Sequence, residues 1–143
     1  MKHILTSLLF VFFSGLTFGQ ECDSLANVCY KYLSIDANSG KIFISDGQVY
    51  KAFVDAEQSA EFKVTLYGGS LYRIAATAGD KGNYVIFSVY DKDRNLLFTN
   101  EDFENKPYWD FKIDSTLDCY IEARLDLDKK VSGCIVVLLG FQK

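Results

Sequence analysis

Histidine is almost absent from this chain of 143 residues: the one it has, His3, stands near the one methionine, Met1, at the amino terminus. Beyond residue 19 no imidazole remains. That excludes Ser/His/Asp and Cys/His nucleophile systems and any zinc, copper or haem site that depends on histidine. The cysteines are spaced too widely for a Cys-x-x-Cys redox or metal pair. Gly68-Gly69 leads into a strand pattern rather than a helix, so no phosphate-binding glycine loop is present. Basic residues are outnumbered, 15 against 19 acidic, for a net charge of −4. Nucleic acid and anionic membranes repel such a chain. Past the amino-terminal segment no apolar run is long enough to span a bilayer, and with one proline and no low-complexity stretch there is no sign of a linker.

What is present begins with an export signal. Lys2 and His3 give a polar, positive start, Ile4 to Phe18 form an apolar run, and Thr17-Phe18-Gly19 supplies small residues for cleavage. The expected organisation is therefore a signal peptide at 1–19 and a single domain at 20–143. Removing the signal takes away Lys2 and no acidic residue, which makes the remaining chain more acidic. Gly19-Gln20-Glu21 lacks the apolar and small residues that precede a lipidated cysteine, so Cys22 belongs with Cys29, Cys119 and Cys134 as a disulfide candidate. One or two bridges are expected, and four cysteines allow three pairings.

Leu25, Val28, Cys29, Tyr32 and Leu33 recur at helical spacing, which predicts a helix over 23–35 capped by Asp23 or Ser24. Two cysteines seven residues apart on a helix are roughly 10 Å apart, too far to bridge, so each would have to reach Cys119 or Cys134. Beyond Gly40 the period changes to two. Strands are expected at 41–45, 48–54, 60–67, 70–78, 84–90, 96–99, 108–113, 117–125 and 134–141. In 117–125, Leu117, Cys119, Ile121, Ala123 and Leu125 alternate with Asp118, Tyr120, Glu122 and Arg124, giving one core face and one wet face. Cys134-Ile135-Val136-Val137-Leu138-Leu139 is apolar on both faces, which suits a central strand covered on its second side by the helix. The segment 126–132 is expected to join these two strands as a hairpin. The fold class that follows is mainly β, an antiparallel β-sandwich or jelly roll with one amino-terminal helix.

Asp91-x-Asp93-x-Asn95 places three oxygen ligands at alternate positions, the opening of a calcium loop, between two strands that form a hairpin. Trp109, Phe111 and Ile113 share a face and belong to the core, leaving Tyr108, Asp110 and Lys112 opposite. If strands 108–113 and 117–125 are neighbours, Tyr108 and Asp110 join Tyr120, Glu122 and Arg124 in one mixed aromatic and charged surface. That surface is the ligand-site candidate.

Gly69-Ser70-Leu71-Tyr72-Arg73-Ile74, Val85-Ile86-Phe87-Ser88-Val89-Tyr90-Asp91 and Asp118-Cys119-Tyr120-Ile121-Glu122-Ala123 occur in an order that resembles the prepeptidase C-terminal type of domain. The resemblance implies a small jelly-roll sandwich of the kind appended to secreted bacterial enzymes, and it assigns no site residue. Ile44-Ser45-Asp46-Gly47-Gln48, Ala60-Glu61-Phe62-Lys63-Val64-Thr65 and Tyr108-Trp109-Asp110-Phe111 look similar to short exported bacterial proteins of unknown function. The expected function is a secreted or periplasmic, non-enzymatic binding module needing no cofactor. Its partner would be an envelope protein or glycan. The alternatives are a small hydrolase working through paired carboxylates and a structural subunit of an envelope assembly.

Overall fold

The computed structural model describes residues 18–34 and 39–142, with side chains from Glu21 onward. Met1, His3 and nearly all of the expected signal segment lie outside the described residues. Helix α1 (Phe18–Ser34) is followed by strands β1 (Ile44–Ser45), β2 (Tyr50–Asp55), β3 (Ser59–Leu66), β4 (Ser70–Thr77), β5 (Val85–Asp91) and β6 (Leu96–Thr99). A short 3-10 turn (Asn100–Phe103) leads to β7 (Tyr108–Ile113), β8 (Leu117–Leu125) and β9 (Ser132–Gln142). The helix begins earlier than its capping residues suggested. Asp23 lies inside it and pairs with Lys51 at 3.1 Å.

The strands form two antiparallel sheets. In the first, β9 is flanked by β4 and then β7 on one edge and by β1 and β2 on the other; in the second the order is β3-β8-β5-β6. From β2 onward the chain changes sheet at every connection except the β5–β6 hairpin, the winding of a jelly roll. The 126–132 segment is therefore not a hairpin. Both edges of β8 are occupied, by β3 and β5, so β9 has no free edge to pair with and crosses to the other sheet.

Period-two alternation builds two apolar layers. Between the sheets lie Tyr72, Ile74 and Ala76 of β4, Ile135, Val137 and Leu139 of β9, and the inward faces of β5 and β8. Beneath α1, Leu25, Cys29 and Leu33 pack on Ala75, Cys134, Val136 and Leu138, so β9 is buried on both faces as its sequence requires. Gly140 permits this approach, since a Cβ there would sit 2.8 Å from Leu33.

The helix is bridged to the same strand by Cys22–Cys134, which are 112 residues apart in sequence. Cys29 and Cys119 are free and buried. Cys29 lies in the layer under the helix and Cys119 in the layer between the sheets, so the first sheet separates them and the second expected bridge does not form. Burial pushes the Cys29 thiol up to about 12 and the Cys119 thiol up to about 11.

Candidate functional site

The surface expected from Tyr108, Asp110, Tyr120, Glu122 and Arg124 does not assemble, because β7 is in one sheet and β8 in the other. Tyr108 and Asp110 instead serve Arg73. Arg73 and Asp110 are directly opposite on β4 and β7. Nε of Arg73 donates to Oδ1 of Asp110 at 2.7 Å and its second terminal nitrogen to Oδ2 at 2.9 Å. The guanidinium also donates to the Tyr32 carbonyl at 3.0 Å and lies over the rings of Phe43 and Tyr108, at 4.2 and 4.3 Å from their centres. With the Arg73 side chain 2% exposed and Asp110 at 33%, this is a bidentate pair with a buried guanidinium, and through the Tyr32 carbonyl it ties α1 to its sheet.

Tyr120, Glu122 and Arg124 do share the outer face of the second sheet. There Arg94 reaches over the Tyr120 ring at 4.0 Å and holds both oxygens of Glu61, which stands opposite Glu122 in register. The hydrogen bond from Arg94 holds the Glu61 carboxyl below its ordinary range. Arg124 donates to Glu101 at 3.1 Å. Much of the charge on this face is paired with a neighbour.

Asp91, Asp93 and Asn95 form the expected hairpin turn. The Asp91 carboxylate accepts the Asp93 and Asn95 backbone N–H groups and the Asn95 side-chain amide, each at 2.9 Å. The Asn95 amide, with its backbone N–H, holds Asp91 below the ordinary carboxylate range. Asn95 thus spends its side chain closing the turn, and among the described residues no three His, Cys, Asp or Glu side chains cluster to hold a metal ion. Of the candidate calcium ligands, Asp91 and Asn95 pin the turn through their side chains and Asp93 through its backbone N–H.

A cavity of about 500 Å³ opens at one end of the sandwich, where β2, β3, β4 and β9 converge. Tyr50, Tyr67, Tyr72 and Phe141 supply aromatic wall, Val64 and Leu139 supply apolar surface, and Asp46 is its one charged residue. Local turn chemistry sets this geometry. The Asp46 carboxylate accepts the Gln48 N–H at 2.9 Å while Gly47 takes φ 84° beside it, and the Asp46 N–H donates to the Leu139 carbonyl at 3.0 Å. The Tyr50 hydroxyl faces the same carboxylate and lowers its pKa. Across the cavity, Gly68 sits so close to the 114–116 loop that a Cβ would lie 2.8 Å from the Asp114 carbonyl, and the Tyr67 N–H donates to the Tyr72 hydroxyl at 3.0 Å. Burial raises the Asp46 pKa, against the two hydrogen bonds that lower it.

None of these wall residues is among the sequence candidates. The available signal was a tyrosine on an inward position, since Tyr50 and Tyr72 alternate with outward side chains and a buried phenol needs a polar partner.

No family model and no curated protein matches this sequence. Among solved structures the chain is similar to PliG of Aeromonas hydrophila, a periplasmic inhibitor of g-type lysozyme. The match has a TM-score of 0.50 and 10% identity over 66% of this chain and 85% of that one. At that identity the likeness is one of fold. No helix among the described residues is long and apolar enough to cross a membrane.

Proposed function

We propose that this protein is an exported, non-enzymatic binding module of the cell envelope or extracellular space, and that it takes its ligand in the cavity at the β2, β3, β4 and β9 end. The observation that carries the reading is the cavity itself: about 500 Å³, lined by four aromatic residues and one carboxylate. A mostly apolar concavity with a few convergent polar groups is the usual form of a ligand site. Export is supported by the amino-terminal signal pattern and by the Cys22–Cys134 bridge, a bond that persists in oxidising compartments. PliG, with a similar fold, works as an inhibitor in the periplasm, a binding role of this kind.

The carboxylate-hydrolase alternative has less support. Hydrolysis by paired acids needs two carboxyl groups in one cleft, and Asp46 has no second acid beside it among the cavity residues. The cleft that holds Glu101, Asp126 and Asp128 has Glu101 tied to Arg124 and Asp126 tied to Lys129 and Asn105.

The test is ligand screening of the purified, disulfide-bonded protein against envelope glycan fragments and envelope proteins, followed residue by residue by NMR. Binding should shift Asp46, Tyr50, Tyr67, Tyr72 and Phe141. Tyr67→Ala, at a residue 63% exposed, should weaken it about tenfold without unfolding the domain. A ligand that leaves those five residues unmoved, or an empty screen, would overturn the reading.

A further inference from the structure

The charge and surface of the cavity narrow the ligand further, on the premise above that this cavity is the ligand site. Its described lining holds no lysine, arginine or histidine, so an anionic group would meet no counter-charge and would face the Asp46 carboxylate. A cationic group meets the opposite situation. Tyr50, Tyr67, Tyr72 and Phe141 line the cavity, and aromatic rings attract ammonium groups through their quadrupoles. Asp46 is held in place by the Gln48 N–H and the Leu139 carbonyl, and a carboxylate has room for further donors. Val64, Leu139 and Phe141 offer an apolar track beside that acceptor. We infer that the cavity receives an alkylammonium group on an apolar stem, the chemistry of a lysine side chain, with the ammonium at Asp46 and the stem against the aromatic wall.

Two further observations agree. The whole chain is acidic, at −4, which favours encounter with basic partners. Asp46 ionised in an empty cavity is incompletely compensated, as its raised pKa records, and a bound cation would relieve that cost and draw the pKa back down. The titratable groups that line the cavity with Asp46 are the phenols of Tyr50, Tyr67 and Tyr72, and burial, with the Asp46 charge, raises that of Tyr50 further.

The experiment measures binding of four probes to the full, disulfide-bonded protein at pH 7 and low salt: Nα-acetyl-lysine methylamide, n-butylammonium, neutral Nα-acetyl-norleucine methylamide, and butyrate. NMR reports both the cavity shifts and the Asp46 titration. The two ammonium probes should bind in the cavity, the norleucine probe about tenfold more weakly and butyrate not at all. Saturation with either ammonium probe should lower the Asp46 pKa. Asp46→Asn should cost the ammonium probes about tenfold and leave the norleucine probe unchanged. This variant keeps the fold: a raised carboxyl pKa contributes stability below the unfolded value of 3.8 and loses it as pH rises, so a neutral amide is no burden at pH 7. Tyr67→Ala gives a second, independent loss of affinity. Tighter binding of the lysine derivative than of butylammonium assigns the group to a partner's side chain, and equal binding assigns it to a free amine. If the norleucine probe or a neutral glycan binds the cavity as tightly and Asp46→Asn is silent, the ammonium inference falls and the binding-module reading stands. If nothing, including the envelope screen, shifts the cavity residues, both fall.

Discussion

The outer faces of the two sheets are built on the same strand alternation and reach opposite ends. On the first sheet, α1 covers Ala75, Cys134, Val136 and Leu138, and Arg73 is buried there with Asp110 as a fixed bidentate partner. On the second sheet no helix among the described residues docks, and Glu61, Arg94, Arg124 and Glu101 pair with one another at side-chain exposures of 38% to 56%. Similar ion pairs thus sit in different dielectrics. In the covered layer a charge without its partner is costly, while on the open face water screens the loss.

Breaking the cover should have the largest effect. Cys22→Ser, or reduction of the Cys22–Cys134 bridge, opens a loop of 112 residues and should cost about 3 to 5 kcal/mol, read by denaturant unfolding with and without reductant. Helix amides should lose hydrogen-exchange protection while β8 keeps its own. Equal loss in both sheets would show that the cover is not a separate layer. Next, Asp110→Ala leaves the Arg73 guanidinium buried and should cost about 3 kcal/mol, with Arg73→Met in the same chain recovering much of it. On the open face, Arg94→Ala should cost less than about 1 kcal/mol. Because the Glu61 pKa is lowered below 4.5, its contribution is present above that pH and fades as pH falls through the depressed value. A loss on the open face matching that of Asp110→Ala would erase the contrast. The smallest expected effect is on the thiols. Cys29 and Cys119, pushed up to about 12 and about 11, should resist alkylation at pH 8 in the folded protein and react once it unfolds, as mass spectrometry would count.

Much of the architecture was legible in local pattern. The bounds of β6, β7 and β8 coincide with their apolar alternation, and the doubly apolar run in β9 announced a strand covered on both sides. The candidate site was not. Tyr108 and Tyr120 each sit on an outward position, as alternation says, but alternation gives a side chain's face and not the strand beside it. Arg73 is an outward residue too, and it is buried because a helix distant in sequence lies over it. The cavity draws on residues from Asp46 to Phe141, so no local window contains it.

The sequence by itself determined the chemical inventory and the local geometry. These are an acidic chain whose one histidine is His3, a helix before a series of strands, turns at Asp46-Gly47 and Asp91 to Asn95, and cysteines too far apart on a helix to pair with each other. Such features depend on backbone preference and period, which act over a few residues. The tertiary structure decided that Cys22 meets Cys134 while Cys29 and Cys119 stay apart, that β8 and β9 belong to different sheets, and that four aromatic residues line one cavity with Asp46. Those outcomes are choices among long-range pairings with equal local credentials, and they are settled by which packing buries both faces of β9 at once.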